Sequence, residues 1–315
     1  MRKRSSVRKS LIIITIICVI LFVSACSSIG NSGTARDPPT DEEHQKGIKE
    51  LSYVFHPNTP PPEMIQHSQE EIVITLKNQG AADIEQGVLS LITENSYIRT
   101  IGKNKYRFTA DGKSKYNPEG ETKQLRFVIE SAGLNQQSQR HSIELLANVC
   151  YDYATELNEV VCIDPDPYSQ KALDVDKVCE MQDVTSSGQG SPIVIDKVRI
   201  MTINEPGGQL SPTLFIHIRN KGNGVVVQSS RISDLCSGAP LRAHDMNRVS
   251  VYVSLADRDL LCDTNSIQLI KKEATIRCTD PIGIDPYLGT HQTPLHIKLT
   301  YGYSDTISKL FSIIR

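Results

Sequence analysis

The chain has 315 residues, a net charge of -2, 5% aromatic residues, 22% charged residues and no tryptophan. Its length suits about two domains of 100–200 residues each. The near-neutral charge gives a nucleic-acid role no support, and the charged content with a mildly negative mean hydropathy argues against a polytopic membrane protein.

Residues 1–26 form a separate object. Arg2, Lys3, Arg4, Arg8 and Lys9 make a basic start, residues 11–23 are an almost unbroken apolar run, and Val23-Ser24-Ala25-Cys26 closes it. This is the layout of an export signal. Small residues followed directly by Cys resemble a lipobox, in which the Cys26 thiol takes a diacylglyceryl group and becomes the new N-terminus. The alternative is an uncleaved single-span anchor, although the run is shorter than the roughly 20 residues such a helix prefers. Both readings put the remainder outside the cytoplasm and give the membrane as a partner through the N-terminus. Residues 27–46, rich in Ser, Gly, Pro and acids, read as a flexible tether.

A first β domain is expected over residues 47–166. Strands are expected at 48–55, 72–78, 88–92, 106–109, 125–129 and 143–153, separated by Gly, Asn, Asp and Ser clusters, and Pro60-Pro61-Pro62 suggests an extended edge or crossover. Residues 167–192 read as a linker, and residues 193–315 as a second β domain with strands at 193–202, 214–218, 249–254 and 274–278 and a terminal hairpin. Short strands with frequent turn signals, and no long helical periodicity, give an all-β fold of two sandwich domains in tandem.

A recurrence ties the two domains together. Ile72-Val73-Ile74-Thr75-Leu76-Lys77-Asn78-Gln79-Gly80 is matched by Leu214-Phe215-Ile216-His217-Ile218-Arg219-Asn220-Lys221-Gly222. Each is an alternating apolar run ending in a base and Asn-x-Gly, so one face enters a core and the Asn and Gly allow a tight turn. A second recurrence aligns Tyr151 and Tyr153 with Tyr301 and Tyr303, and sets Cys150 and Cys162 against Thr300 and Ser312. The tyrosine face is assigned to the core. A turn centred on Glu156 would place Cys150 opposite Cys162 as the last hairpin of domain one, and their joint replacement in the other copy supports a bridge. Such a bridge closes a loop of about 13 residues, worth up to roughly 3 kcal/mol.

Apart from Cys18 and Cys26, six cysteines remain: Cys150, Cys162, Cys179, Cys236, Cys262 and Cys278. An even number in an exported chain reads as three disulfides. The expected pairs are Cys150–Cys162, then Cys262–Cys278, leaving Cys179–Cys236. Without a C-x-x-C pair, a zinc site is the lesser reading.

No catalytic constellation stands out: there is no G-x-S-x-G, H-E-x-x-H, phosphate loop or G-x-G-x-x-G after a strand. His291 and His296, with Asp285 nearby, could form a surface metal site. Asp164, Asp166, Asp174 and Asp176 could take calcium but lack the glycine and terminal glutamate of an EF-hand, so solvation of a hinge is the simpler reading. His217 is read as an outward-facing polar residue. No cofactor is expected.

Residues 72–80 followed by Ala81-Ala82-Asp83-Ile84 resemble the strand and turn of CARDB-type, immunoglobulin-like adhesion modules. Further elements are Pro60-Pro61-Pro62, Cys150-Tyr151-Asp152-Tyr153 with Val161-Cys162-Ile163-Asp164-Pro165, Gly188-Gln189-Gly190-Ser191-Pro192, and Tyr301-Gly302-Tyr303. Together they resemble an uncharacterised family of exported, membrane-anchored two-domain proteins of small-genome archaea. The resemblance implies immunoglobulin-like (CARDB-like) β-sandwiches and a membrane-anchored address, and it implies no activity. The expectation is a non-catalytic envelope protein that meets another surface protein through its sandwich domains. A solute- or glycan-binding lipoprotein is the alternative, and an accessory metal-binding hydrolase component using His291 and His296 a second one.

Overall fold

Two strands of 24 residues each, Arg140–Ile163 and His291–Ile314, run antiparallel over their whole length, and the other elements are arranged around them. The computed structural model describes residues 46–166, 177–205, 209–285 and 287–315. In chain order the strands are β1 (Leu51–Phe55), β2 (Glu63–Ile65), β3 (Gln69–Asn78), β4 (Ile84–Ile92), β5 (Ile98–Ile101), β6 (Lys105–Ala110), β7 (Thr122–Ser131), β8 (Arg140–Ile163), β9 (Val184–Thr185), β10 (Ile193–Asn204), β11 (Leu210–Asn220), β12 (Val225–Val227), β13 (Arg248–Leu255), β14 (Arg258–Asp259), β15 (Leu261–Cys262), β16 (Ser266–Gln268), β17 (Glu273–Thr279) and β18 (His291–Ile314). A short helix, α1 (Ile232–Ser237), lies between β12 and β13.

The fold is all-β. One sheet, in the order β1-β3-β7-β5, belongs to the first half, and another, β15-β17-β11-β10-β9, to the second. A nine-stranded sheet, whose spine is β14-β13-β18-β8-β4-β6, passes through both halves as a common layer. Period-two burial explains the long strands. Ile143, Leu145, Ala147, Val149, Tyr151 and Tyr153 on β8, and Leu295, Ile297, Leu299, Tyr301 and Tyr303 on β18, are all buried on one face.

The register makes the internal repeat spatial. Tyr151 pairs with Tyr303, Asp152 with Gly302 and Tyr153 with Tyr301. Residues 152 and 302 are equivalent in the repeat, so pairing them antiparallel relates the halves by a local two-fold. Both Asn-x-Gly turns close in the same way, the Gly80 N–H donating to Asn78 Oδ1 (3.1 Å) and the Gly222 N–H to Asn220 Oδ1 (2.9 Å). The glycines are required by close approach. A Cβ would come within 1.8 Å of the Tyr153 hydroxyl at Gly80 and within 2.1 Å of the Tyr303 hydroxyl at Gly222.

The hairpins expected around Glu156 and at the chain end do not form. Glu156 pairs with Lys298 in an unbroken ladder, and the second part of each long strand continues into the opposite half instead of turning back. Thus β2 of the first half pairs in parallel with Ser312, Ile313 and Ile314 of β18. Reciprocally, Thr155 on β8 donates to the Ile193 carbonyl (2.6 Å) at the start of the second half.

This continuity corrects the disulfide pairing. Cys150 and Cys162 lie on one strand, roughly 40 Å apart at about 3.3 Å per residue, and cannot meet. The six cysteines form Cys150–Cys236, Cys162–Cys179 and Cys262–Cys278, so the expected Cys179–Cys236 bridge is also replaced, while Cys262–Cys278 is as expected. That third pair staples directly opposed residues of β15 and β17.

One difference between the halves is an insertion. In the first half, β4 runs unbroken beside β8. In the second, the equivalent edge of β18 is covered by β12 and then β13, with residues 228–247 intervening. These carry α1, and Cys236 ties the helix back to Cys150 on the central strand of the other half.

Candidate functional site

The sequence candidates separate in space. Cys26 lies outside the described residues, as do Asp174 and Asp176. His291 and His296 are five residues apart on β18, an odd spacing that sends their side chains to opposite faces, so they do not converge on a metal. The His291 ring nitrogen instead meets the Gly289 carbonyl at 3.1 Å, and His296 packs edge-on against Tyr252. Among the described residues no group of three or more His, Cys, Asp or Glu is placed to hold a metal ion. Asp164 is buried and pairs with Lys177 at 2.7 Å. His217 sits on the outer face of the β10-β11-β17 layer in a charged cluster with Asp196, Arg219 and Glu273.

The four tyrosines form the buried centre. Tyr151 contacts Tyr153 and Tyr303 with ring centroids 5.8 Å apart in each case, and Tyr153 contacts Tyr301 at 6.3 Å. Each hydroxyl reaches a different segment. Tyr151 donates to Glu50 Oε2 (2.8 Å), Tyr153 donates to the Gly190 carbonyl (3.3 Å), Tyr301 meets Thr155 Oγ1 (3.1 Å), and Tyr303 accepts from the Gly224 N–H (2.7 Å). Burial lifts all four phenols above the ordinary tyrosine range, with the Glu50 carboxylate adding to the rise. Glu50 itself is pushed up to about 7, chiefly by burial. The tyrosine strip expected to face the core does so; the Tyr153 and Tyr301 hydroxyls reach across between the halves, while those of Tyr151 and Tyr303 bond within their own half.

Several concavities lie elsewhere among the described residues, two of them beside the β4–β8 part of the common sheet. At the local two-fold, a groove of about 480 Å³ is lined by Asp83, Glu85, Asp152 and Glu156 together with Lys298. Three of its four carboxylates are engaged internally: Glu156 with Lys298 (2.7 Å), Asp152 with the Gln86 N–H (2.8 Å) and Asp83 with the Gly112 N–H (2.6 Å). Burial raises the Asp152 carboxyl. The larger groove, about 970 Å³, lies along the outermost strand β6. Gly87 and Val88 of β4, Tyr106, Arg107 and Phe108 of β6, and Leu125 of β7 form its floor, and Ile232, Ser233 and Cys236 of α1 form its wall. Gly87 is needed there because a Cβ would fall 2.4 Å from the Phe108 ring.

Sequence reading missed Glu50, the open edge at β6 and the α1 wall. The wall had a signal: aligning the halves on Asn78 and Asn220 leaves residues 228–247 without a counterpart. Glu50 had none, since a lone acid near the start of an expected strand looks like any solvated residue.

No family model matches the chain, and no curated protein matches it. Among solved structures the chain is similar to a secreted serine protease, VesC, from Vibrio cholerae (8% identity, TM-score 0.20, 82% of this chain and 51% of that one). It is also similar to red sea bream transglutaminase (11%, 0.19, 85% and 31%) and to a partial N-terminal region of an enterococcal surface protein (9%, 0.20, 84% and 85%). The chain thus spans about half and about a third of the first two. What the molecule itself supplies is an extracellular or otherwise oxidising address, from three disulfides among the described residues.

Proposed function

We propose that this chain is a non-catalytic, membrane-anchored extracytoplasmic protein that works by protein–protein contact at the cell envelope. The observation that supports it is the pairing of β8 with β18 along all 24 residues. Among the described residues the halves share strands, and a shared layer suits a protein that presents a fixed surface. The tyrosine hydroxyls, the richest polar chemistry in the fold, serve its interior. Residues 1–26 supply the anchor, with Cys26 as the lipidated residue, and residues 27–46 the spacer.

The test is photo-crosslinking of the full chain in its native membrane, with the probe placed at exposed sites around the molecule. Defined protein adducts support the reading. A chain that yields no protein adduct, and that carries a bound sugar or other solute in native mass spectrometry, overturns it in favour of a solute- or glycan-binding lipoprotein.

A further inference from the structure

The nine-stranded sheet stops at β6, and no strand among the described residues pairs with its outer side. Lys105, Arg107 and Thr109 are exposed while Phe108 and Ala110 are buried, so the strand is regular up to its open edge. An edge of this kind leaves a row of main-chain donors and acceptors for an added strand. The groove of about 970 Å³ lies along it, and the facing wall, α1, is fixed by the Cys150–Cys236 bridge.

Charge selects the occupant. Lys105, Arg107 and Lys123 line this groove, against the single carboxylate of Glu85. Lys123 pairs with Glu121, and Lys105 reaches the Ser237 carbonyl, but among the described residues the Arg107 side chain has neither an ion pair nor a hydrogen bond. A second copy of this chain is disfavoured, because edge-to-edge pairing of two β6 strands would bring their bases together. A polysaccharide would leave the main-chain groups of the edge largely unused. We therefore infer that β6 receives an extended acidic segment of a partner protein, added as a further strand, with a carboxylate on Arg107 and apolar side chains in the groove between Phe108 and Ile232. This inference rests on the protein-contact reading above and gives that contact a place and a chemistry.

The probe is a phage-displayed library of random dodecapeptides, selected against the full chain in detergent with its disulfides intact. The expected winners alternate acidic and apolar residues. A synthetic winner should slow amide hydrogen exchange across residues 105–110 at least tenfold, and Arg107→Glu should weaken it at least tenfold without lowering the melting temperature. The inference is overturned if no sequence is enriched, if the winners bind Arg107→Glu equally well, or if heparin, an anionic polysaccharide, occupies residues 105–110 where no peptide does. Repeating the membrane crosslinking with Arg107→Glu separates the two levels. Partners captured equally by the variant leave the protein-contact reading standing and overturn this edge as its site. Partners captured by neither chain overturn the reading itself.

Discussion

Glu50 lies against Tyr151, Tyr303, Tyr53 and Asp305, and burial holds its carboxyl near 7, with the Tyr151 hydroxyl pulling the other way and Asp305 adding to the rise. In an unfolded chain the same group titrates near 4.5. Between those values the folded state keeps a proton that the unfolded state has released. The stability linked to this group is therefore complete below about pH 4.5 and lost as pH rises through about 7, a difference of about 3 kcal/mol. The urea midpoint should fall across that window, and Glu50→Gln should remove this part of the slope and exceed the native chain at pH 8. An unchanged slope in the variant would assign the dependence elsewhere. The two turn asparagines give a second test at this scale. Asn78 donates to the Ala82 and Ala110 carbonyls (2.9 Å each) as well as accepting from Gly80, whereas Asn220 donates only to Gly224 (3.3 Å) and accepts from Gly222. At about 1 kcal/mol per bond, Asn78→Ala should cost about 3 kcal/mol and Asn220→Ala about 2 kcal/mol in denaturant unfolding.

At the scale of elements, α1 has only six residues, and Ile232 is its one buried side chain, packed against Gly302. So short a helix is marginal by itself. The Cys150–Cys236 bridge, spanning 86 residues of sequence, holds it in place. Replacing both cysteines by Ser should cost up to about 4.6 kcal/mol on the chain-entropy model. Hydrogen exchange should then rise across residues 229–246 while β8 stays protected. Equal protection in the variant would mean that packing alone fixes the wall. Elements also mark where sequence reading reaches its limit. Strand positions and the buried tyrosine face were legible, because period-two burial is a local property of β3, β8, β11 and β18. The Asn-x-Gly turns were legible for the same reason. The hairpin at Glu156 was expected because a turn there sets Cys150 opposite Cys162; the strand continues instead, although the exposed stretch at 158–160 does interrupt the burial pattern of β8. Whether a strand turns there or continues depends on a partner strand some 140 residues away, which no local pattern encodes. The expected Cys150–Cys162 bridge rested on the joint replacement of the two cysteines in the other copy and on that turn; both cysteines are bridged, but each to a residue outside β8. The open edge at β6 was equally hidden, because an edge is defined by the strand that is missing.

For the whole molecule, the consequence of strand exchange is mutual dependence. The end of β18 completes the first half through β2, where Met64 is buried, and the end of β8 completes the second through Thr155 and the Cys162–Cys179 bridge. A fragment of residues 177–315 would keep β10, β11 and β17 but lose the partner that pairs with β18 along its entire length. An unpaired strand of that length is a template for aggregation, and each buried main-chain group left without a partner costs about 1–3 kcal/mol. The fragment should therefore show no cooperative thermal transition by circular dichroism and should elute as aggregates. Co-expression with residues 46–166 should restore a soluble complex, held by the β8–β18 ladder and melting in one step. A fragment that melts cooperatively as a monomer would show that the second half has a sufficient core of its own. The shared ladder would then be a junction between autonomous domains, and the rigidity on which the presenting role depends would have to come from the Cys150–Cys236 bridge.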